Sequence, residues 1–168
     1  DCLLSRGLGD VYKRQGYAQL IEEIDKTEGS KPIAVIFNLG VNDLGNAGNY
    51  VSYMTNIAST LKSKNCKLFY MSVNPINSTM ITKAGRGART EAQVREFNSK
   101  IRSGLSLDYK YIDMYSVLMK KGYGTNASYN GTDADSDDGL HYTTKTFKRI
   151  YYYCITYLNT GSINASYY

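Results

Sequence analysis

Apolar positions along this chain fall into alternating blocks of two periods. Tyr17, Leu20, Ile21 and Ile24 share one face of a short helix that the pattern starts at Gly16 and ends near Gly29. Residues 33–39, IAVIFNL, form a continuous β-rich apolar run entered through Pro32 and closed by Gly40, which predicts a parallel strand covered on both faces. Val51, Met54, Ile57, Ala58 and Leu61 return to helical spacing in a segment that frays at Lys64 and Asn65. A second buried strand is predicted at 67–73, KLFYMSV, breaking at Asn74-Pro75 into a polar loop rich in Gly, Ser and Thr. Thr90 and Gln93 offer a capping pair for a helix whose apolar face is Val94, Phe97, Ile101 and Leu105. A third strand is predicted at 109–115, YKYIDMY, with Tyr111 and Ile112 inward, followed by a polar loop over 121–139. Thr143 or Thr144 then caps a last helix running through Phe147, Ile150, Tyr151, Cys154 and Leu158.

Strand and helix alternate, so the expected fold class is α/β with a parallel sheet and helices on both of its faces. In open sheets of this kind ligands sit at the carboxyl ends of the strands, so the loops after strands carry the functional question. Residues 1–15, DCLLSRGLGDVYKRQ, hold neither period and differ in composition from the rest of the chain. They resemble translated adaptor read-through found at the ends of reading frames assembled from environmental DNA, and are set aside as a non-native tail. A genuine irregular N-terminus is the alternative. One domain is expected over 16–160, with 161–168 a C-terminal tail.

Composition narrows the partners. The chain has 168 residues, 42% of them hydrophobic, enough for one core and too few for two domains of ordinary size. Its net charge of +5 raises the question of nucleic acid, but the basic residues form no stripe or block, so no nucleic-acid partner is expected. No apolar run approaches the length of a membrane span. Cys2, Cys66 and Cys154 lack metal-ligand spacing and are odd in number, so no zinc site or disulfide framework is expected, and the two that fall in core segments, Cys66 and Cys154, are expected to be buried free thiols. Seventeen tyrosines without tryptophan give a polar, tyrosine-rich surface of a kind met in exported bacterial proteins, an association that leaves the compartment open.

Two sites fall where an α/β sheet places its chemistry. Gly40-Val41-Asn42-Asp43 follows the first strand directly: Gly40 lets the backbone turn sharply, and the Asn42 amide can stabilise a developing oxyanion. An ordinary turn explains the same residues. Asp138-Gly139-Leu140-His141 contains the sole histidine, just before the last helix. An aspartate bonded to one ring nitrogen fixes the tautomer and leaves the other nitrogen to take a proton from a serine hydroxyl.

Together, a strand ending in Gly-x-Asn-Asp and, about a hundred residues later, Asp-x-x-His before a final helix resemble the third and fifth blocks of the SGNH (GDSL-like) hydrolase family over roughly residues 16–160. The resemblance implies a three-layer α/β/α sandwich with a five-stranded, flavodoxin-like parallel sheet. It implies a serine ester hydrolase working through an acyl-enzyme, without metal or other cofactor. It further implies Asn42 in the oxyanion hole, Asp138 as triad acid, His141 as general base, and Gly40 and Asp43 as shaping residues. The substrate expected is a small-molecule or carbohydrate acyl ester, an acetylated sugar foremost, with lipid or thioester substrates as the alternative. Residues 74–89 and 121–137, small and polar, are expected to wall a shallow, open site.

The departures are specific. The family's Gly-Asp-Ser block, which carries the nucleophile, has no counterpart: Gly9-Asp10-Val11 is nearest and has valine where serine is required. The glycine of the second block has none either. Loss of a segment ahead of Gly16, with one or two strands, accounts for both. Two other readings stay open, a carbohydrate-binding or surface module whose tyrosines stack on sugars, and a family member that has lost its serine. Asp133, Asp135 and Asp137 alternate like the opening of a calcium loop, but Gly139 comes too late and Thr144 stands where the closing glutamate belongs, so a solvated acidic loop is expected.

Overall fold

The structure is a computed structural model that describes residues 10–27, 31–123 and 139–163, with side chains from Gly16 onward. It is mixed α/β, with the elements α1 (Asp10–Lys26), β1 (Ile33–Phe37), α2 (Ala47–Ser63), β2 (Cys66–Met71), α3 (Ser78–Lys83), α4 (Glu91–Gly104), β3 (Tyr109–Ile112), α5 (Met114–Lys120) and α6 (Thr144–Thr160). The three strands form one parallel sheet in the order β1-β2-β3, as the alternating pattern predicts. β1 and β2 pair in register from Ile33 opposite Cys66 to Phe37 opposite Tyr70. The chain divides into two compact units, Asp1–Met71 with Phe97–Tyr111, and Ser72–Glu96 with Ile112–Tyr168.

In the first unit, α2 buries Tyr50, Met54, Ile57, Ala58 and Leu61, five positions on one helical face. It stops at Ser63 because Asn65 turns into positive φ (58°), a conformation asparagine tolerates better than most residues. Met54 also accepts, through its backbone carbonyl, a 2.7 Å bond from the Tyr109 hydroxyl. That phenol reaches in from β3 while its ring meets Phe37 edge-on. The Val94, Phe97 and Ile101 stripe of α4 is fully buried, and the predicted capping pair forms: Thr90 Oγ1 accepts from Gln93 N at 3.2 Å and Gln93 Oε1 accepts from Thr90 N at 2.9 Å.

Several expected boundaries shift, each for a local reason. α1 begins at Asp10, six residues before the apolar pattern starts, because helical hydrogen bonding needs no apolar residue to continue. β1 ends at Phe37 rather than Leu39: Asn38 turns its side-chain amide onto the Met71 carbonyl (3.4 Å), and the Leu39 carbonyl accepts from the Tyr70 hydroxyl (2.8 Å). β1 is also not covered evenly on both faces, since Val35 is buried and Ala34 exposed on a strand that is outermost among the described residues. The polar stretch after β2 is not all loop, because Asn77 caps a short helix, α3, with Oδ1 accepting from Met80 N. β3 ends three residues early, at Ile112, where the Asp113 carboxylate accepts from Ser116 N and starts α5. Within β3 it is Tyr109 and Ile112 that are buried, with Tyr111 half-buried.

α6 is rotated from expectation. Its buried face is Thr146, Ile150, Tyr153 and Cys154, whereas Phe147 and Tyr151 are 41% and 61% exposed. Apolar and tyrosine residues occur on both sides of this helix, so spacing alone does not say which side faces the core. The cap is Thr143, whose Oγ1 accepts from Thr146 N, and Gly161 closes the helix in the left-handed conformation at φ 73°.

Candidate functional site

The first half of the candidate site is the turn after β1. Gly40 is buried and adopts φ 116°, outside the range of L side chains. A Cβ on it would stand 2.2 Å from Cζ of Phe97, so the ring lies flush against the bare backbone. The Gly40 carbonyl accepts from Asp43 N (2.9 Å), closing a turn across Val41 and Asn42, and the Asp43 carbonyl accepts from Asn46 N (2.8 Å), leading into α2. Asp43 Oδ2 accepts from the Tyr50 hydroxyl at 2.8 Å. Burial, and then that bond, push the Tyr50 phenol well above its ordinary pKa, which favours the neutral donor. Asn42 is half-buried between these fixed points.

The second half is the turn before α6. Gly139 has φ 74°, and a Cβ on it would meet the Asn77 carbonyl oxygen at 2.5 Å and Ile81 N at 3.0 Å. The Gly139 carbonyl accepts from Asn77 N at 2.9 Å. One residue beyond the imidazole, the Tyr142 hydroxyl donates to the Pro75 carbonyl, and its ring meets Tyr123 and Phe147 edge-on. His141, exposed, is therefore carried between two attachments to the loop that follows β2. That loop is itself held by Glu91, which accepts from Ile76 N through Oε1 and from the Tyr115 hydroxyl through Oε2 (2.6 Å).

Gly40, Asn42 and Asp43 belong to the first unit and Gly139 and His141 to the second. Asp138 lies outside the described residues, as do Asp133, Asp135, Asp137 and most of the wall expected over 121–137. The wall expected over 74–89 is described, and α3 occupies its middle. Among the described residues no cluster of three or more His, Cys, Asp or Glu could hold a metal ion.

The sequence pattern places Phe97 on an apolar helix face but not beneath Gly40, and it does not single out Tyr50, Asn77 or Glu91 as supports. Tyr50 does sit four residues before Met54, on the apolar stripe of α2, which was the available signal. Nothing local distinguishes Phe97 from any other core residue.

Comparison with protein-family models, with curated proteins and with solved structures finds no match to this chain.

Proposed function

We propose that this chain is part of a serine ester hydrolase of the SGNH type. Asn42 serves as oxyanion donor, His141 as general base and Asp138 as the acid that orients it, on a flavodoxin-like, three-layer α/β/α fold. The observation that carries the reading is the Gly40–Asp43 turn. A carboxamide between an obligate glycine and a hydrogen-bonded aspartate lies in the turn after a parallel strand, beyond Asn38 and Leu39, on the side where α/β sheets concentrate their chemistry. The sole imidazole, exposed on a turn attached on both sides, supports it. Shaping by Gly40 and Asp43 fits their backbone and side-chain bonds.

Chemically, a serine oxygen would attack an acyl carbonyl while His141 takes its proton. The Asn42 amide would bond the oxyanion, and His141 would return the proton to the leaving alcohol. The acyl-enzyme would then be hydrolysed by a water that the same imidazole activates. Small polar residues over 74–89 favour a compact acyl group on a polar alcohol, hence an acetylated carbohydrate.

The required serine has no counterpart in a Gly-Asp-Ser string among the 168 residues, so the test has two arms. The chain by itself is expected to leave p-nitrophenyl acetate at its background rate, because a base without a nucleophile forms no acyl-enzyme. In a gene carrying the upstream serine, His141→Ala is expected to lower kcat by roughly 10⁴-fold or more. In the same gene Asn42→Ala should lower it by roughly 10²- to 10³-fold. A His141 variant with undiminished kcat would sink the reading.

A further inference from the structure

A carboxamide that stabilises an oxyanion must be held to within a fraction of an ångström of its working position, and its own turn rarely supplies that rigidity. Here two buried aromatic rings from different helices meet beneath the turn. Phe97, fully buried on α4, occupies the volume a side chain at residue 40 would need, with ring carbons 2.2 and 2.4 Å from that Cβ position. Tyr50, 2% exposed on α2, packs edge-on against Phe97, with centroids 5.5 Å apart and planes at 80°. Its hydroxyl reaches Asp43 Oδ2 at 2.8 Å.

We propose that Tyr50 and Phe97 are positioning residues for Asn42: Phe97 seats the backbone on the strand side of the amide, and Tyr50 fixes the helix side by holding the Asp43 carboxylate. The significance of Asn42 rests on the hydrolase reading; the mechanical claim does not. Asp43 is the hub, since its N–H bonds Gly40, its carbonyl accepts from Asn46 and its carboxylate accepts from Tyr50. Removing the phenol leaves the backbone turn intact but frees the aspartate to rotate. The Asn42 carboxamide on the neighbouring residue is then expected to sample more than one rotamer.

The 168-residue chain itself serves for the experiment. In ¹⁵N,¹³C-labelled protein the Asn42 side-chain amide is assigned by its loss in Asn42→Asp, and its χ1 is read from three-bond couplings. Wild type is expected to show a single rotamer. In Tyr50→Phe the couplings should average over rotamers and the amide signals should shift, while the buried amides of Met54 and Leu61 keep their exchange protection. A tyrosine that merely supported α2 would lower that protection and leave the Asn42 rotamer alone, and this result would overturn the proposal. Should Tyr50→Phe fail to fold, Asp43→Asn decides in the same way, because it weakens the bond without touching the ring packing. The outcome is independent of whether His141 and Asn42 prove catalytic, so the two ideas fail separately.

Discussion

Two glycines with positive φ show how much a single residue's surroundings matter. Gly40 and Gly85 both lie in the left-handed half of backbone space, at φ 116° and 66°. A Cβ at Gly85 meets nothing within 4 Å, whereas one at Gly40 drives into Phe97. Gly85→Ala therefore costs only backbone strain, about 1–2 kcal/mol. Gly40→Ala adds overpacking, for a total of about 2–5 kcal/mol. Urea unfolding midpoints of the two variants check this, and equal losses would mean that Phe97 simply moves aside. A sequence shows glycine at both positions and turn chemistry around both; the ring that separates them comes from a helix far along the chain.

Elements are decided mostly by their own residues. The apolar stripes of α2 and α4 and the Thr90–Gln93 box arise from local spacing, and the structure contains them with two exceptions: Val51 is half-buried while Tyr50 is buried, and Leu105 lies just past the end of α4. The failures are equally local in cause. Asp113 reads as part of a strand until its carboxylate is seen capping Ser116 N, and Asn77 reads as loop until it caps α3. Short polar residues compete for backbone donors, and which competitor wins depends on the turn they enter. At α6 the cap is buried as well as bonded, since Thr143 Oγ1 accepts from Thr146 N at 3.0 Å and also meets Thr146 Oγ1 at 3.2 Å. Thr143→Ala is expected to cost about 1–2 kcal/mol, measured by thermal or urea unfolding. It should also loosen the turn holding His141, seen as broadening of the one imidazole signal.

At the scale of the molecule, burial of weakly acidic groups sets the alkaline limit of stability. Burial raises the Cys154 thiol to about 11 and also raises Cys66. Tyr115 is pushed up to about 12 by burial and by its bond to Glu91. Burial raises Tyr109 as well, further still. Each of these pKa values is higher folded than unfolded, so the folded state holds more protons in that range and stability falls as pH rises. Unfolding midpoints should therefore be flat up to about pH 8 and decline from about pH 9, where free thiols ionise, through the folded value of about 11 for Cys154. A flat profile to pH 11 would contradict the buried placement of these groups. The same burial predicts that native Cys66 and Cys154 react far more slowly with a thiol reagent at pH 8 than the urea-unfolded chain does.

What the sequence determined by itself is whatever depends on neighbours within a turn or a strand. That covers the alternation of strand and helix, the parallel sheet it entails, the apolar faces of α2 and α4, and the two turns that carry Asn42 and His141. Periods of two and 3.6 are local facts, and glycine beside a short polar residue is a local signal. Only the tertiary structure decided which face of α6 is buried, that Asn38 and Tyr70 end β1 early, that Phe97 lies under Gly40, and that Tyr50 holds Asp43. Those outcomes depend on close packing between segments distant in sequence, where a ring's position is set by the volume left to it rather than by its neighbours along the chain.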